Sequence, residues 1–157
     1  MSQDELVEYL RSHTIFSDLK AAHIKLLAKY AEEKAYAAGE LLFSQENAAE
    51  HFYILMDGSI EVEVPAIMGP ALVVQTLGTD DVLGWSWLIP PYKWTFEAKA
   101  ARDSKVLVFD GKALLQLCEK DTDFGYALMK RFTGLMSQRL HAARLKMMDS
   151  WDPAGWA

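Results

Sequence analysis

The sequence predicts an α+β fold in which a small antiparallel β-barrel or jelly roll is flanked by N-terminal helices and followed by a short and a long C-terminal helix. Apolar residues recur at three- and four-residue steps near the start of the chain. Short β-rich runs with turn signals about every ten residues fill the middle, and helical spacing returns at the end. With 157 residues, 51% of them hydrophobic and 24% charged, we expect one domain over residues 1–149 and a tail over 150–157.

Two helices are predicted before the β-rich region. Ser2 followed by Glu5 is a capping-box pattern, and apolar residues at helical spacing follow it. A second helix is predicted from about Ser17, because apolar side chains again recur at helical steps. These are Leu19, Ile24, Leu26, Leu27 and Tyr30.

The period changes after Tyr36, where a series of strands is predicted. The predicted strands cover residues 40–43, 51–56, 59–64, 71–77, 95–101 and 105–110. Asp57-Gly58 stands between two of these runs, and this dipeptide is a strong signal for a β-hairpin. The middle of the chain therefore has the pattern of a small sandwich or jelly roll.

The C-terminal region predicts a short helix over residues 112–120 and a long one over about 122–149. The long helix carries a heptad seam with one polar member, flanked by further apolar residues. The seam consists of Met129, Thr133, Met136, Leu140, Ala143 and Met147. So wide a face packs either entirely against the barrel, or against the barrel with one flank and a second copy of the chain with the other. We expect the second arrangement, a homodimer through this helix.

Net charge limits the classes of function that the protein can have, and its cysteine content and hydrophobicity indicate its cellular compartment. A formal net charge of −6 argues against a broad nucleic-acid-binding surface, which needs clustered positive charge. Cys118 is the single cysteine, so no internal disulfide can form, and it is expected to be a buried structural thiol. No stretch has the length and hydrophobicity of a signal peptide or a membrane span. We expect a cytoplasmic protein that does not associate with membranes.

The sequence contains no pattern typical of an enzyme. Its four histidines, His13, His23, His51 and His141, are scattered, so neither a metal site nor haem ligation is expected. There is no phosphate-binding Walker loop, nucleophile elbow or Cys–His arrangement. We predict no catalytic residue and no resident cofactor.

The order of elements resembles the cyclic-nucleotide-binding domain family, as in the catabolite activator protein and the regulatory subunit of protein kinase A. Three segments carry the resemblance: the Gly-Glu turn into the barrel, the central strand pair, and the approach to the family's phosphate-binding cassette. They are residues 38–43, 51–62 and 78–84. The resemblance implies a regulatory domain whose C-terminal helices move when ligand binds. The eight residues after the long helix are too few for a helix-turn-helix, so we expect no DNA binding by this chain alone.

Residues 83–100, hereafter the cassette segment, correspond to the family's phosphate-binding cassette. The resemblance implies a Gly that lets the backbone approach the ligand, a Glu that accepts the ribose hydroxyl and an Arg that binds the phosphate. Here Gly84 is retained, Trp85 stands at the Glu position, Trp94 at the Arg position, and Phe96 replaces a small residue. The candidate pocket residues are Gly84, Trp85, Ser86, Trp87, Lys93, Trp94, Thr95 and Phe96.

These replacements predict a regulatory or sensor module that does not bind cyclic AMP or cyclic GMP in the usual way. Five aromatic residues lie within the twelve positions 85–96, and their rings either fill the vacated pocket or reshape it for another ligand. In the reshaped pocket Lys93 and Ser86 would face an anionic group. One alternative is a ligand-free adaptor that docks a partner protein. A lesser alternative is a cyclic-nucleotide binder in which Lys93 replaces the phosphate-binding Arg.

Overall fold

Two four-stranded antiparallel sheets form the centre of the protein in a computed structural model that describes residues 1–150. In chain order the strands are β1 (Ala31–Tyr36), β2 (Leu41–Phe43), β3 (His51–Asp57), β4 (Ile60–Val64), β5 (Leu72–Leu77), β6 (Val82–Leu83), β7 (Glu97–Ala100) and β8 (Ser104–Asp110). One sheet has the order β1-β8-β3-β6 and the other β2-β7-β4-β5. Non-sequential neighbours in both sheets are typical of a jelly roll.

Four helices flank the sheets. They are α1 (Gln3–Ser12), α2 (Ala21–Lys29), α3 (Gly111–Lys120) and α4 (Thr122–Ser150), and a 3₁₀ turn covers Ser86–Leu88. Ser2 and Glu5 form the predicted capping box, in which the Ser2 hydroxyl accepts from the Glu5 amide and the Glu5 carboxylate accepts from the Ser2 amide. The predicted α+β fold is confirmed. No helix within residues 1–150 has an apolar stretch that could cross a bilayer. Of the predicted tail over 150–157, Ser150 is the last residue of α4 and residues 151–157 lie outside the described residues.

The predicted start of the second helix at Ser17 is wrong, because α2 begins at Ala21. Residues 13–19 form successive turns, in which the Ser17 amide donates to the His13 carbonyl and the Leu19 amide to the Phe16 carbonyl. Phe16 and Leu19 are nevertheless buried. The turns bring these side chains to the same core that α2 contacts. For this reason the spacing of apolar residues in this part of the sequence resembles that of a helix.

The structure also contains a strand, β1, that the sequence did not predict. Glu32, Glu33 and Lys34 occupy its centre, and these residue types favour helices. β1 exists because it pairs with β8 over its whole length, from Ala31 opposite Phe109 to Tyr36 opposite Ser104. A partner more than 60 residues away in the chain leaves no local signal.

The predicted hairpin at Asp57-Gly58 is wrong. β3 pairs with β6 and β8, whereas β4 pairs with β5 and β7, so this turn carries the chain from one sheet to the other. Asp57 ends β3, and Gly58 has a φ of +120°. A two-residue hairpin of type I′ would need positive φ at both central residues, and here Gly58 alone has it.

Two apolar cores divide the molecule. One lies between the two sheets, and the other lies between the β1-β8-β3-β6 sheet and the helices. β3 belongs to both, because Tyr53 and Leu55 face the first core while Phe52 and Ile54 face the second. The first half of α4 is anchored in the helical core by Phe124, Leu128, Phe132 and Leu135. From Leu140 to Asp149 all of its residues are exposed, so the helix leaves the core there.

Candidate ligand-binding site

A cavity of about 760 Å³ lies between the β2-β7-β4-β5 sheet, the cassette segment and α4. This volume is within the range of small-molecule sites in proteins. The sheet region and the start of the cassette supply Phe43, Val62, Val74, Gln75, Leu83 and Gly84, and the rest of the cassette supplies Trp85, Ser86, Trp94, Thr95 and Phe96. Helix α4 supplies Thr133, Met136, Ser137, Arg139, Leu140, Ala142, Ala143 and Lys146.

The tryptophans of the cassette segment divide between the core and the cavity. Trp87 is 1% exposed and belongs to the helical core, where its ring centroid lies 5.2 Å from that of Phe52 and 5.2 Å, edge to face, from that of Phe132. Its indole N–H donates to the Gly84 carbonyl at 3.2 Å. Trp87 therefore fixes the 3₁₀ turn to α4, and it is absent from the cavity wall.

Trp94 forms part of the cavity wall and fills part of the inter-sheet core. Its ring stacks on Phe43 with centroids 3.7 Å apart and an interplanar angle of 9°. Gly84 makes room for it, because a Cβ on Gly84 would lie 2.8 Å from the Trp94 ring and its φ is +101°. The observed position of the Trp94 ring therefore requires a glycine at residue 84.

Trp85 is half-buried and faces a cation from the long helix. The guanidinium carbon of Arg139 lies 5.3 Å from the centroid of the Trp85 ring, within cation–π range. The same guanidinium donates a hydrogen bond to the Val82 carbonyl in β6. Burial lowers the pKa of Arg139, and the nearby Asp81 carboxylate opposes that shift. The guanidinium stays protonated, as arginine does in proteins generally.

Positive charge and apolar surface dominate the cavity wall. Arg139 and Lys146 line it, and none of the lining residues, all of which lie in the described part of the chain, is a carboxylate. The other polar side chains there are neutral: Gln75, Ser86, Thr95, Thr133 and Ser137. Chemically, this arrangement suits a ligand with a large apolar surface and a negative group.

Six of the eight predicted pocket residues line the cavity, namely Gly84, Trp85, Ser86, Trp94, Thr95 and Phe96. Trp87 and Lys93 do not. Lys93 is exposed and forms an isolated β-bridge with Ala48. The pocket prediction therefore included the cassette but missed Arg139 and Lys146, although both share a face of α4 with the predicted seam.

Four of the six predicted seam residues also line the cavity: Thr133, Met136, Leu140 and Ala143. Met129 is half-buried and Met147 is 71% exposed, and both lie outside the cavity wall. One face of α4 therefore carries both the ligand-facing residues and the predicted seam.

The single cysteine has the environment expected of a structural thiol. Cys118 is buried in the helical core. Burial, with a contribution from the Asp121 carboxylate, raises the pKa of the thiol to about 11, so the reactive thiolate is scarce at neutral pH.

Residues 33–121 match the family model described as "Cyclic nucleotide-binding domain". The match includes all strands from β2 to β8, the cassette segment and α3. None of the curated proteins matches the chain.

Solved structures share the fold along most of the chain. A putative cyclic nucleotide-binding protein from Geobacter metallireducens is 27% identical with a TM-score of 0.77, and the match covers 85% of this chain and 97% of that one. A cyclic nucleotide-binding domain from Methylobacillus flagellatus is 15% identical with a TM-score of 0.78, and the match covers 96% of this chain and 84% of that one. The catabolite activator protein of Thermus thermophilus is 21% identical with a TM-score of 0.66, and the match covers 85% of this chain and 61% of that one. Because the family model spans more than half of the sequence and the fold agrees, the chain belongs to the cyclic nucleotide-binding domain family.

Proposed function

We propose that this protein is a non-enzymatic sensor module whose cavity binds a small molecule other than a conventionally held cyclic nucleotide. The observation that carries the proposal is the cavity of about 760 Å³ that remains beside Trp85 and Trp94. Aromatic side chains that merely filled the family's pocket would leave no such space. Membership in a family of regulatory domains supports the same class of function.

The two tryptophans account for the loss of ordinary cyclic-nucleotide binding. At the position of the phosphate-binding Arg, Trp94 offers one N–H and no charge, and its ring is fixed against Phe43. Loss of a bidentate charged contact costs about 2–5 kcal/mol. At the position of the ribose-binding Glu, Trp85 has no acceptor, which costs about 1–3 kcal/mol more. Lys93 is exposed and outside the cavity wall, which disfavours it as a substitute phosphate contact.

A ligand-free adaptor remains the second candidate, and one feature of the cassette favours it. Ile89, Tyr92 and Phe96 are 46%, 41% and 37% exposed, so the segment presents apolar side chains on the outside of the protein. Exposed apolar side chains close together are typical of protein-binding surfaces. The adaptor requires that no small molecule bind in the cavity.

A titration separates these possibilities. Cyclic AMP, cyclic GMP, other nucleotides and haem are added to the full chain while tryptophan fluorescence and melting temperature are recorded. We expect no response to cyclic AMP or cyclic GMP below roughly 1 mM. A micromolar response to either would overturn the proposal. A folded protein that responds to no small molecule, including other apolar and anionic compounds, would favour the adaptor.

The same helix face supports a homodimer. Thr133, Leu140 and Ala143 are exposed along one side of α4, where the heptad seam was predicted. A second copy of α4 packed there would cover apolar surface and extend the cavity wall. Since the cavity and the seam share a helix, ligand binding would shift the helix arrangement of the dimer, a population shift between two states.

We expect Leu140→Glu combined with Ala143→Glu to convert the dimer to a monomer, because two carboxylates on each seam would face those of the other copy. Gln138→Glu with Leu145→Glu is the matched control, since it adds the same two charges on the opposite side of α4. Sedimentation velocity measures the outcome. If a folded seam variant sediments as the parent does, or if the control dissociates equally, the seam is not the interface.

A further inference from the structure

The distribution of charge in the cavity indicates the kind of ligand it suits. Both charged side chains in its wall, Arg139 and Lys146, are cations, and the wall has no carboxylate among the described residues. A ligand bound there would meet two cations and no carboxylate in the wall itself, since the Asp81 carboxylate near Arg139 lies outside it. A cationic ligand is therefore disfavoured and an anionic one favoured.

Arg139 is the better placed of the two cations. It is half-buried between the Trp85 ring and β6, whereas Lys146 is exposed on the last turns of α4. A partly desolvated charge attracts an anion more strongly than a hydrated one does. The hydrogen bond to the Val82 carbonyl uses one of the five N–H donors of the guanidinium, and others can serve a ligand.

The remainder of the wall is suited to an apolar body. Apolar side chains line the same cavity as Arg139, namely Val62, Leu83, Trp85, Trp94, Met136 and Leu140. No lining side chain provides the carboxylate that the family uses to accept a ribose hydroxyl. The side-chain acceptors left for a sugar are the neutral oxygens of the wall, which bind a hydroxyl group less strongly than a carboxylate does. They belong to Gln75, Ser86, Thr95, Thr133 and Ser137.

We propose that the ligand is an amphipathic organic anion, whose carboxylate or sulfonate pairs with Arg139 while its apolar body lies against Trp85 and Trp94. This inference rests on the proposed function, because it names the chemical class of ligand for the same cavity. In this arrangement α4 supplies the contact to the anionic group, and the cassette segment supplies the contacts to the apolar body. Arg139 would then link the ligand directly to the helix that carries the proposed dimer seam.

Calorimetric titration of the full chain with 2-naphthoate and 2-naphthamide tests the inference, because these probes share a ring system and differ in charge. We expect the carboxylate to bind at least about tenfold more tightly than the amide, as expected for one hydrogen-bonded charge contact. Arg139→Gln should bring the ratio close to one, and Arg139→Lys should leave an intermediate ratio. Arg144→Gln is the matched control and should leave the ratio unchanged, because Arg144 is an exposed cation of the same helix that does not line the cavity.

Other outcomes overturn the inference. Equal binding of both probes, no binding of the carboxylate, or a preference removed by Lys146→Gln or Arg144→Gln instead of Arg139→Gln would each do so. The ratio of the two affinities in the unmodified protein tests whether the cavity prefers a negatively charged ligand, even where Arg139→Gln fails to fold. Equal binding of both probes would leave the proposed function intact, whereas micromolar cyclic AMP binding would overturn the proposed function whatever the naphthoate ratio.

Discussion

Trp87→Ala is expected to lower the free energy of unfolding by about 3–5 kcal/mol, as is typical when a fully buried tryptophan is truncated. The Trp87 side chain is 1% exposed and contacts both Phe52 of the sheet and Phe132 of α4. Its removal would leave a cavity where the cassette, the sheet and the long helix meet. It would also remove the hydrogen bond to the Gly84 carbonyl.

Trp85→Ala is the matched control for this substitution, since it removes the same side chain from the same segment. Trp85 is half-buried, so we expect a loss of only about 1–2 kcal/mol. Urea denaturation followed by circular dichroism measures both variants. Equal losses for Trp85→Ala and Trp87→Ala would contradict the division of the cassette between core and cavity.

Gly58→Ala is expected to destabilise the protein by about 3 kcal/mol or more, the sum of backbone strain and overpacking. Gly58 has a φ of +120°, and a Cβ there would lie 2.1 Å from the Ser104 hydroxyl oxygen and 2.6 Å from the Ser104 Cα. Because a backbone atom lies in the way, rotation of the serine side chain cannot relieve the contact. The turn between the two sheets would have to move.

Gly39→Ala is the control for backbone strain alone. Gly39 has a φ of +89°, and no atom lies within 4 Å of a Cβ placed on it. We expect this variant to lose about 1 kcal/mol, the lower end of the cost of a strained backbone conformation. If chemical denaturation gives Gly58→Ala a loss no greater than that of Gly39→Ala, the close approach to Ser104 does not determine this turn.

Much of the fold could be predicted because its signals are local. The capping box of Ser2 and Glu5 fixes the start of α1. The alternation in residues 59–64 marks β4, and α4 begins at Thr122, as predicted within one residue. Each depends only on neighbours in the sequence.

The remaining features depend on partners far away in the chain. Helix-favouring residues form β1 because β8 offers its hydrogen bonds to them. Asp57-Gly58 has a hairpin sequence, yet the pairing of β3 with β8 and β4 with β7 sends the two strands to different sheets. Pairing of this kind is decided by the whole sheet, and no dipeptide encodes it.

The candidate site likewise has features that could be predicted from the sequence and features that could not. The resemblance to the family located the cassette, and six of its predicted residues line the cavity. Which tryptophan faces the core could not be foreseen, because the 3₁₀ turn sends Trp87 towards Phe52 and leaves Trp85 beside Arg139. Arg139 and Lys146 were missed because Arg144 lies between them on the same helix, and the sequence alone does not distinguish a cavity cation from one outside the cavity.

We expect the cavity to be open to a small molecule and unsuited to a cyclic nucleotide. Isothermal titration calorimetry of the full chain with cyclic AMP is the decisive test of the second property, because it measures binding without a fluorescent reporter or a change in stability. We predict no saturable heat up to about 1 mM nucleotide. A saturable one-site isotherm with a Kd near 10 μM or below, about −7 kcal/mol of binding free energy, would show that the cavity does hold a cyclic nucleotide.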